Sequence, residues 1–237
     1  MITFFDIPAD AIPGRAWSPN TWKTRLSLNI KGLPYKTTWV EYPDIKGVLQ
    51  EHNIGPTGTS RDGNPYYSLP AIIDADDATG EVKVALAESL EIAKYLDAAY
   101  PDTPKLVPDA AVQQKFVDDL RGILGPLFIF ALKATHTKIN EKSKAHFSRA
   151  RAMNLWPFFH TETLEEIVIP PEVLEKRWAV DVKAAFGALD QRLGSEEEKE
   201  WYLGDSVSFV DLVVASYLIW IKKVFGEESR EWKDIKS

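Results

Sequence analysis

The chain of 237 residues contains no cysteine. This absence excludes disulfides, thiolate metal sites and a cysteine nucleophile, so any thiol chemistry must use a thiol bound from solution. Histidine is scarce as well, with four in the chain. None of them has the HExxH spacing of a zinc site, and we therefore expect no metal.

Positive charge is in the minority, because 28 Lys and Arg stand against 35 Asp and Glu, for a formal net charge of −7. Dense basic tracts are missing, so nucleic acid is not an expected partner. No apolar run reaches the roughly 20 residues of a membrane span, and the N-terminus "MITFFDIPAD" lacks the pattern of an export signal. We therefore expect a cytoplasmic protein, away from membranes, with a small or uncharged ligand.

The first hundred residues alternate strand and helix patterns. "ITFFDI" and "YKTTWVEY" predict strands on either side of a helix over 19–31, and "LPAIID" and "EVKVALA" predict a hairpin. A short helix in "PDIKGVLQEH" precedes a long loop over 53–67, and "ESLEIAKYLDAAY" has a helical apolar pattern. This order predicts a small α/β domain.

After the proline-rich linker "YPDTPKLVPD" only helical patterns remain. One long helix is expected from "QKFVDDLRGILGPLFIFALKATHTKI", kinked at Gly125–Pro126, followed by helices in "KSKAHFSRARAMNLWPFFHTETLEEI" and "PPEVLEKRWAVDVKAAFGALDQRL". "FVDLVVASYLIWIKKVF" is apolar nearly all round and should be the buried central helix. We predict an α/β domain over 1–104 and an all-helical bundle domain over 105–237.

The segment "WSPNTWKTRL" places Ser18 at the start of the first helix. A serine before a proline is typical of an N-cap, whose hydroxyl accepts a backbone N–H. The same position favours a bound anion such as a thiolate, because unpaired N–H groups and the helix dipole meet there. The local pattern leaves both interpretations open.

Four motifs at these places resemble the cytosolic glutathione transferases, which join a thioredoxin-like domain to a helical bundle. They are "WSPNTWKTRL" after the first strand, "SLP" before the hairpin, "AES" at the third helix and "SFVD" at the apolar helix. The long N-terminal half, with its extended loop, most resembles the serine-type, β-etherase-like fungal class called FuA, with bacterial β-etherases as more distant relatives.

The resemblance implies a site for glutathione as co-substrate. It makes Ser18 the catalytic residue, which would hydrogen-bond the thiolate, with Asn20 as a possible second donor. It makes Pro70 a cis-proline, with the main chain of Leu69 binding the cysteinyl backbone. Glu88 and Ser89 would bind the γ-glutamyl end, although ordinary helix capping also explains them.

For the glycine carboxylate of glutathione, the candidate is His52, with Lys46 and Arg61 behind it. The acceptor pocket should lie between the domains, and Trp17 beside Ser18 is its expected aromatic. Leu120 and Leu124 belong to a helical apolar stripe that predicts either pocket wall or, more simply, core. Ser208 and Asp211 have capping-box spacing and resemble the structural folding motif of the family.

The leading hypothesis is therefore a glutathione transferase that activates the thiolate for attack on hydrophobic or aromatic electrophiles. Conjugation, peroxide reduction and thiolytic cleavage of an aryl ether all begin with that step. The alternatives are a ligandin, which carries aromatic small molecules with little turnover, and a scaffold that has kept only the fold. The resemblance also implies a homodimer.

Overall fold

The computed structural model describes residues 1–60, 62–194 and 199–236. Its N-terminal sheet domain contains four strands in the order β2-β1-β5-β6. Strand β1 runs parallel to β2 and antiparallel to β5, and β5 pairs antiparallel with β6. The strands are β1 (Ile2–Asp6), β2 (Tyr35–Trp39), β5 (Ala71–Ala75) and β6 (Val82–Ala87), and the helices are α1 (Pro19–Ile30), α2 (Ile45–Glu51, after a 3-10 turn at Tyr42–Asp44) and α3 (Ser89–Ala99).

Helices cover both faces of this sheet. Neighbouring residues of a strand point to opposite faces, so each strand contributes to the packing on both sides. Phe4 packs in one cluster with Leu28 of α1 and Ile92 of α3. Phe5 belongs to the larger cluster that includes Leu49 of α2. The sheet domain thus has one helix on one face and two on the other, and its order of strands and helices is the one that the alternating pattern predicted.

The segment predicted as a long loop contains a small antiparallel ribbon. Its strands β3 (Gly58–Thr59) and β4 (Pro65–Tyr66) have two residues each. Strands this short give no detectable alternation, so the glycines and prolines around them indicated only a loop.

The rest of the chain forms the helical domain, and the fold class predicted from the sequence is confirmed. Its helices are α4 (Ala110–Ile123), α5 (Gly125–Lys138), α6 (Glu141–Phe159), α7 (Pro171–Arg177), α8 (Lys183–Leu193), α9 (Phe209–Phe225) and α10 (Arg230–Lys236), with a π-helical turn at Trp178–Val182 between α7 and α8. Within the described ranges, no helix has both the length and the apolar character needed to cross a membrane.

Three helical segments differ from the predictions: one is divided, one ends earlier and one was not predicted. The expected kinked helix is two helices that meet at Leu124, because Pro126 stands in the first turn of α5 and has no N–H to continue α4. Helix α6 ends at Phe159, where His160 adopts a left-handed conformation with φ 51°. Helix α10 carries no strong apolar periodicity and was not predicted.

The linker between the domains is attached to both of them. The Asp97 carboxylate on α3 accepts hydrogen bonds from the N–H groups of Leu106 and Val107 and pairs with the Lys31 ammonium at 2.7 Å. On the other side, the Phe209 N–H donates to the Leu106 carbonyl at 2.8 Å. The linker is thus bonded to the ends of α1 and α3 and to the start of α9.

Helix α9 begins with a capping arrangement built on Asp211. One oxygen of its carboxylate accepts from the N–H and the hydroxyl of Ser208, at 2.7 and 2.8 Å. The other oxygen accepts from the Tyr202 N–H at 2.9 Å. Asp211 therefore holds the preceding loop against the most buried helix of the domain.

We predict that Asp211→Ala lowers the free energy of unfolding by about 0.5 to 2 kcal/mol, since it removes the cap and leaves the Tyr202 N–H without an acceptor. Urea denaturation checks the loss. Asp205→Ala, an exposed change in the same loop, is the control and should stay within about 0.5 kcal/mol of the wild type. A variant of unchanged stability would contradict the structural role.

Candidate functional site

A cleft of about 1250 Å³ lies between the sheet domain and the helical domain. Helices α4, α5, α6 and α9 form its far wall. The structure brings seven of the residues singled out from the sequence to this cleft. They are Trp17, Ser18, Asn20, Leu69, Pro70, Glu88 and Ser89.

Ser18 is the N-cap residue of α1, yet its side chain caps nothing. In this fully described part of the chain, its hydroxyl accepts no hydrogen bond from the first turn. The residue is only 4% exposed and lines the cleft. Its carbonyl accepts the Trp22 N–H at 3.0 Å. The hydroxyl is therefore available to a ligand, beside helix N–H groups that have no intrahelical acceptor.

The Leu69–Pro70 peptide bond is cis, and both residues are buried in the wall of the cleft. Strand β5 begins only at Ala71. Among the described residues, neither the N–H nor the carbonyl of Leu69 has a backbone hydrogen-bond partner. The main chain of Leu69 thus offers one donor and one acceptor to an extended ligand backbone.

Glu88 and Ser89 lie where β6 passes into α3. Glu88 has φ 76°, in the left-handed region that side chains disfavour, and such strain is common at binding sites. Burial raises the pKa of Glu88, while Lys23 and Arg121 oppose the rise. Ser89 begins α3, so its hydroxyl stands beside the free N–H groups of the first turn. The pair combines a carboxylate with an anion-binding helix terminus.

Lys23 is a site residue that the sequence interpretation missed. It is 5% exposed and lines the cleft, where its ammonium donates to the Asn20 side-chain oxygen at 3.1 Å and lies 5.7 Å from the centre of the Tyr217 ring. It forms no ion pair with a carboxylate of the described chain. Burial, and to a smaller extent the charge of Arg121, lowers the pKa of Lys23 to about 8, while Glu88 acts in the opposite direction. A signal was available, since α1 has no continuous apolar face and must bury polar side chains.

Other predicted residues lie elsewhere. Leu120 and Leu124 are 1% and 0% exposed and belong to the core cluster rather than to the cleft lining. His52 ends α2 on the surface, where its ring lies 5.5 Å from that of Phe5, also outside the cleft lining. Arg61 is outside the described residues.

The part of the cleft next to α6 is aromatic. The Trp17 ring lies 6.1 Å from Phe147 and 6.5 Å from Tyr42. The Arg151 guanidinium lies 5.2 Å from the centre of the Phe147 ring and donates to the Tyr42 hydroxyl at 3.2 Å. Trp17 was predicted as the pocket aromatic, whereas helix packing brings Tyr42, Phe147 and Arg151 to it from distant sequence positions, so no local motif indicated those three.

Within the described ranges, no three of the His, Asp and Glu side chains are grouped so as to hold a metal ion. The polar groups of the cleft instead suit an organic ligand with an ammonium and a carboxylate at one end.

Two family models match the chain. The Glutathione S-transferase N-terminal domain model covers residues 17–99, and the Glutathione S-transferase C-terminal domain model covers residues 111–237.

Solved structures and a curated relative are also similar. The crystal structure of the glutathione S-transferase CsGST63524 of Ceriporiopsis subvermispora, in complex with glutathione, is 40% identical, with a TM-score of 0.86 over 100% of this chain and 91% of that one. Glutathione transferase GSTFuA3 from Phanerochaete chrysosporium is 36% identical, with a TM-score of 0.84 over 100% and 90%. The Glutathione S-transferase-like protein ustS of Aspergillus flavus is 27% identical over 98% of this chain and 84% of its own length.

The unpaired charge of Lys23 leads to a stability prediction. The pKa of Lys23 is lowered from 10.5 to about 8, so the charged side chain destabilises the folded protein by about 3 kcal/mol. This cost is present in full below pH 8, where the folded and the unfolded chain both hold the proton. Lys23→Met should therefore raise the free energy of unfolding at pH 7 by about 1 to 3 kcal/mol. The gain should shrink between pH 8 and 10.5, where the folded wild type releases the proton.

Lys31→Met is the matched control, because Lys31 is also buried, directly after the last residue of α1, but is paired with Asp97. That change should cost about 3 kcal/mol or more, since it leaves a carboxylate without its cation. Denaturant titrations of both variants at pH 7 and pH 10 measure the contrast. A Lys23→Met protein less stable than the wild type at pH 7 would disprove our interpretation of this charge.

Proposed function

The chain belongs to the glutathione S-transferase family, and on this premise we propose that Ser18 stabilises the thiolate of bound glutathione for attack on a hydrophobic or aromatic electrophile. The observation that carries the proposal is the buried Ser18 hydroxyl, which faces the cleft without capping its helix. The glutathione bound to the similar C. subvermispora transferase supports the choice of co-substrate.

The thiol of glutathione needs such help near neutral pH. A thiol has a pKa of about 8.5, and only the thiolate attacks electrophiles. One hydrogen bond to a charged acceptor contributes about 1.5 to 3 kcal/mol, which lowers the pKa by about one to two units. The N-terminus of α1 adds to this effect. Ser18 and the helix together can make thiolate a major species at pH 7.

The remaining groups of the site suit the other end of glutathione. Glu88 can accept from the γ-glutamyl ammonium, and the start of α3 at Ser89 can donate to the carboxylate. The free N–H and carbonyl of Leu69 can pair with the cysteinyl backbone. Lys23 adds a positively charged side chain in the same part of the cleft, and a bound carboxylate would compensate its charge.

The proposal extends to a cytoplasmic homodimer of the serine type, active in conjugation, peroxide reduction or thiolysis of an aryl ether. The cytoplasm is the compartment in which reduced glutathione dominates, which supports that location. The similarity to fungal transferases, GSTFuA3 among them, supports a FuA-like class.

A ligandin role is the second candidate, and the size of the cleft favours it. At about 1250 Å³ it exceeds the 300 to 1000 Å³ of ordinary ligand pockets, and aromatic rings line its α6 side. A carrier of aromatic small molecules needs such a volume but does not need a residue that donates a hydrogen bond to a thiolate.

We predict that Ser18→Ala folds and binds glutathione but loses about 10- to 100-fold in turnover of a model electrophile, because the thiolate loses one charge-assisted hydrogen bond. Ultraviolet absorbance of bound thiolate against pH measures the thiol pKa, which should rise by one to two units. Ser18→Thr, which keeps the hydroxyl, should restore part of the shift.

An unchanged thiol pKa in Ser18→Ala would transfer the role to another donor such as Asn20. Negligible turnover in the wild type, with tight binding of aromatic compounds that Ser18→Ala retains, would favour the carrier over the enzyme.

We also predict that Glu88→Gln and Ser89→Ala raise the KM for glutathione much more than they lower kcat. Their contacts lie several bonds from sulfur and should be equal in ground and transition states. The loss should be about 1.5 to 3 kcal/mol for Glu88, which would pair with an ammonium, and near 1 kcal/mol for the neutral Ser89 hydroxyl. Saturation curves in glutathione at fixed electrophile give both constants.

Glu91→Gln is the control for this pair of variants. Glu91 is an exposed residue of the first turn of α3, outside the cleft lining, and it pairs with Lys94 at 2.7 Å. Its KM should match the wild type. If Glu88→Gln instead lost most of its kcat at unchanged KM, Glu88 would not be the residue that binds the γ-glutamyl end.

A further inference from the structure

The aromatic part of the cleft contains a cation without an anion. We call this region the Arg151 pocket, and six cleft-lining residues define it: Tyr42, Tyr66, His146, Phe147, Arg151 and Asn154. Helix α6 supplies the last four of them, and Tyr42 and Tyr66 approach from the sheet domain.

The Arg151 guanidinium is held in place by aromatic residues. It donates to the Tyr42 hydroxyl at 3.2 Å and lies 5.9 Å from the centre of that ring and 5.2 Å from the centre of the Phe147 ring. In the part of the chain that the structure describes, no carboxylate forms an ion pair with it. Arginine has five N–H donors in a fixed plane; the Tyr42 and Tyr66 hydroxyls use part of this hydrogen-bonding capacity, and the rest remains for a ligand.

The five other residues that define the Arg151 pocket include no carboxylate. The His146 ring stacks on Tyr42 at 5.7 Å, and burial, together with Arg149 and Arg151, lowers the pKa of His146, so the imidazole is neutral at pH 7. Across the cleft, Arg177 and Asp181 bring charges of opposite sign from α7 and the π-helical turn. The pocket therefore keeps the full positive charge of Arg151.

A donor without a partner in the described chain lies beside this pocket. Trp17 is 2% exposed, and among the described residues its indole N–H has no acceptor. Its ring lies 6.5 Å from Tyr42 and 6.1 Å from Phe147, the same two rings that hold Arg151. Buried donors are normally hydrogen-bonded, so two donors around one pair of rings indicate a ligand that brings acceptor oxygens.

The walls define the rest of the ligand. Of the aromatic residues that line it, Tyr66 is partly exposed and Phe158, although large and apolar, is 77% exposed, whereas Tyr42 and Phe147 are buried. A planar carboxylate matches the guanidinium plane through two parallel hydrogen bonds, which a phenolate with one oxygen cannot form.

We propose that the Arg151 pocket binds aromatic carboxylates, with the carboxylate on the Arg151 guanidinium and the ring against the aromatic walls. The proposal rests on the proposed function only in using the acceptor part of the same cleft. It names the ligand class, either as acceptor substrate or as carried compound. It also refines the expectation of a small or uncharged ligand. Although the net charge of the protein is −7, the guanidinium of Arg151 provides one position at which an anion can bind.

The test uses two probes of the same shape, biphenyl-4-carboxylate and biphenyl-4-carboxamide, titrated by calorimetry at pH 7. The wild type should bind the carboxylate about 10- to 100-fold more tightly, as expected for charge-assisted hydrogen bonds. This comparison needs no variant, and equal affinities would overturn the proposal.

Arg151→Met should abolish the preference while leaving the carboxamide affinity within a few-fold. Arg149→Met is the matched control, since Arg149 is exposed on the same helix and lies outside the cleft lining. It should keep the preference. If both variants lost the carboxylate preference equally, the net charge of the protein rather than contact with Arg151 would explain the preference, and the assignment would be overturned. Thermal unfolding verifies that each variant is folded.

Titration of glutathione in the same proteins separates this inference from the proposed function. Glutathione affinity should be unchanged in Arg151→Met. Selective carboxylate binding by a wild type that does not bind glutathione would refute the proposed function and support the Arg151 pocket. Normal glutathione binding without carboxylate preference would do the reverse.

Discussion

Burial of a polar helix between a sheet and an apolar helix is the constraint on which the whole cleft depends. Helix α1 packs on the sheet through Leu28 and against α9 on another side. Two of its buried hydroxyls are satisfied, because Thr21 and Ser27 donate to the carbonyls of Ser18 and Lys23, at 3.2 and 2.8 Å. The buried Thr24 hydroxyl has no hydrogen-bond partner among the described residues. A helix fixed on both sides cannot shift, so its N-terminus keeps Ser18 at the interface of the domains.

Much of this arrangement could be predicted from the sequence, because short motifs next to strands and helix starts are brought together by the topology. The chain leaves β1 before Ser18, enters β5 after Leu69 and enters α3 at Ser89, and these points meet at one edge of the domain. Apolar periodicity was sufficient for the long helices. Only the coordinates could decide that the Ser18 hydroxyl does not cap α1, since the local sequence favoured both roles.

What could not be predicted depends on packing between distant segments. The lack of an apolar face on α1 indicated that some polar side chains must be buried, but that Lys23 is one of them depends on packing against Tyr217 of α9, almost 200 positions later. Arg151 lies in a helix with no marked apolar face and becomes a pocket residue only through Tyr42. Leu120 and Leu124 had the spacing of either a pocket wall or core, and only packing decides that both lie in the core while Phe128 of α5 lines the cleft.

The linker has a mechanical consequence. Leu106 is bonded through its N–H to Asp97 and through its carbonyl to Phe209, and Lys31 adds an ion pair at the same point. A segment bonded to both neighbours resists hinge motion, so we expect the two domains to keep their relative positions and the cleft to keep its width when a ligand binds. Ligands then meet a preformed cavity rather than closing one, and adaptation to ligands of different shape is left to side chains at the rim.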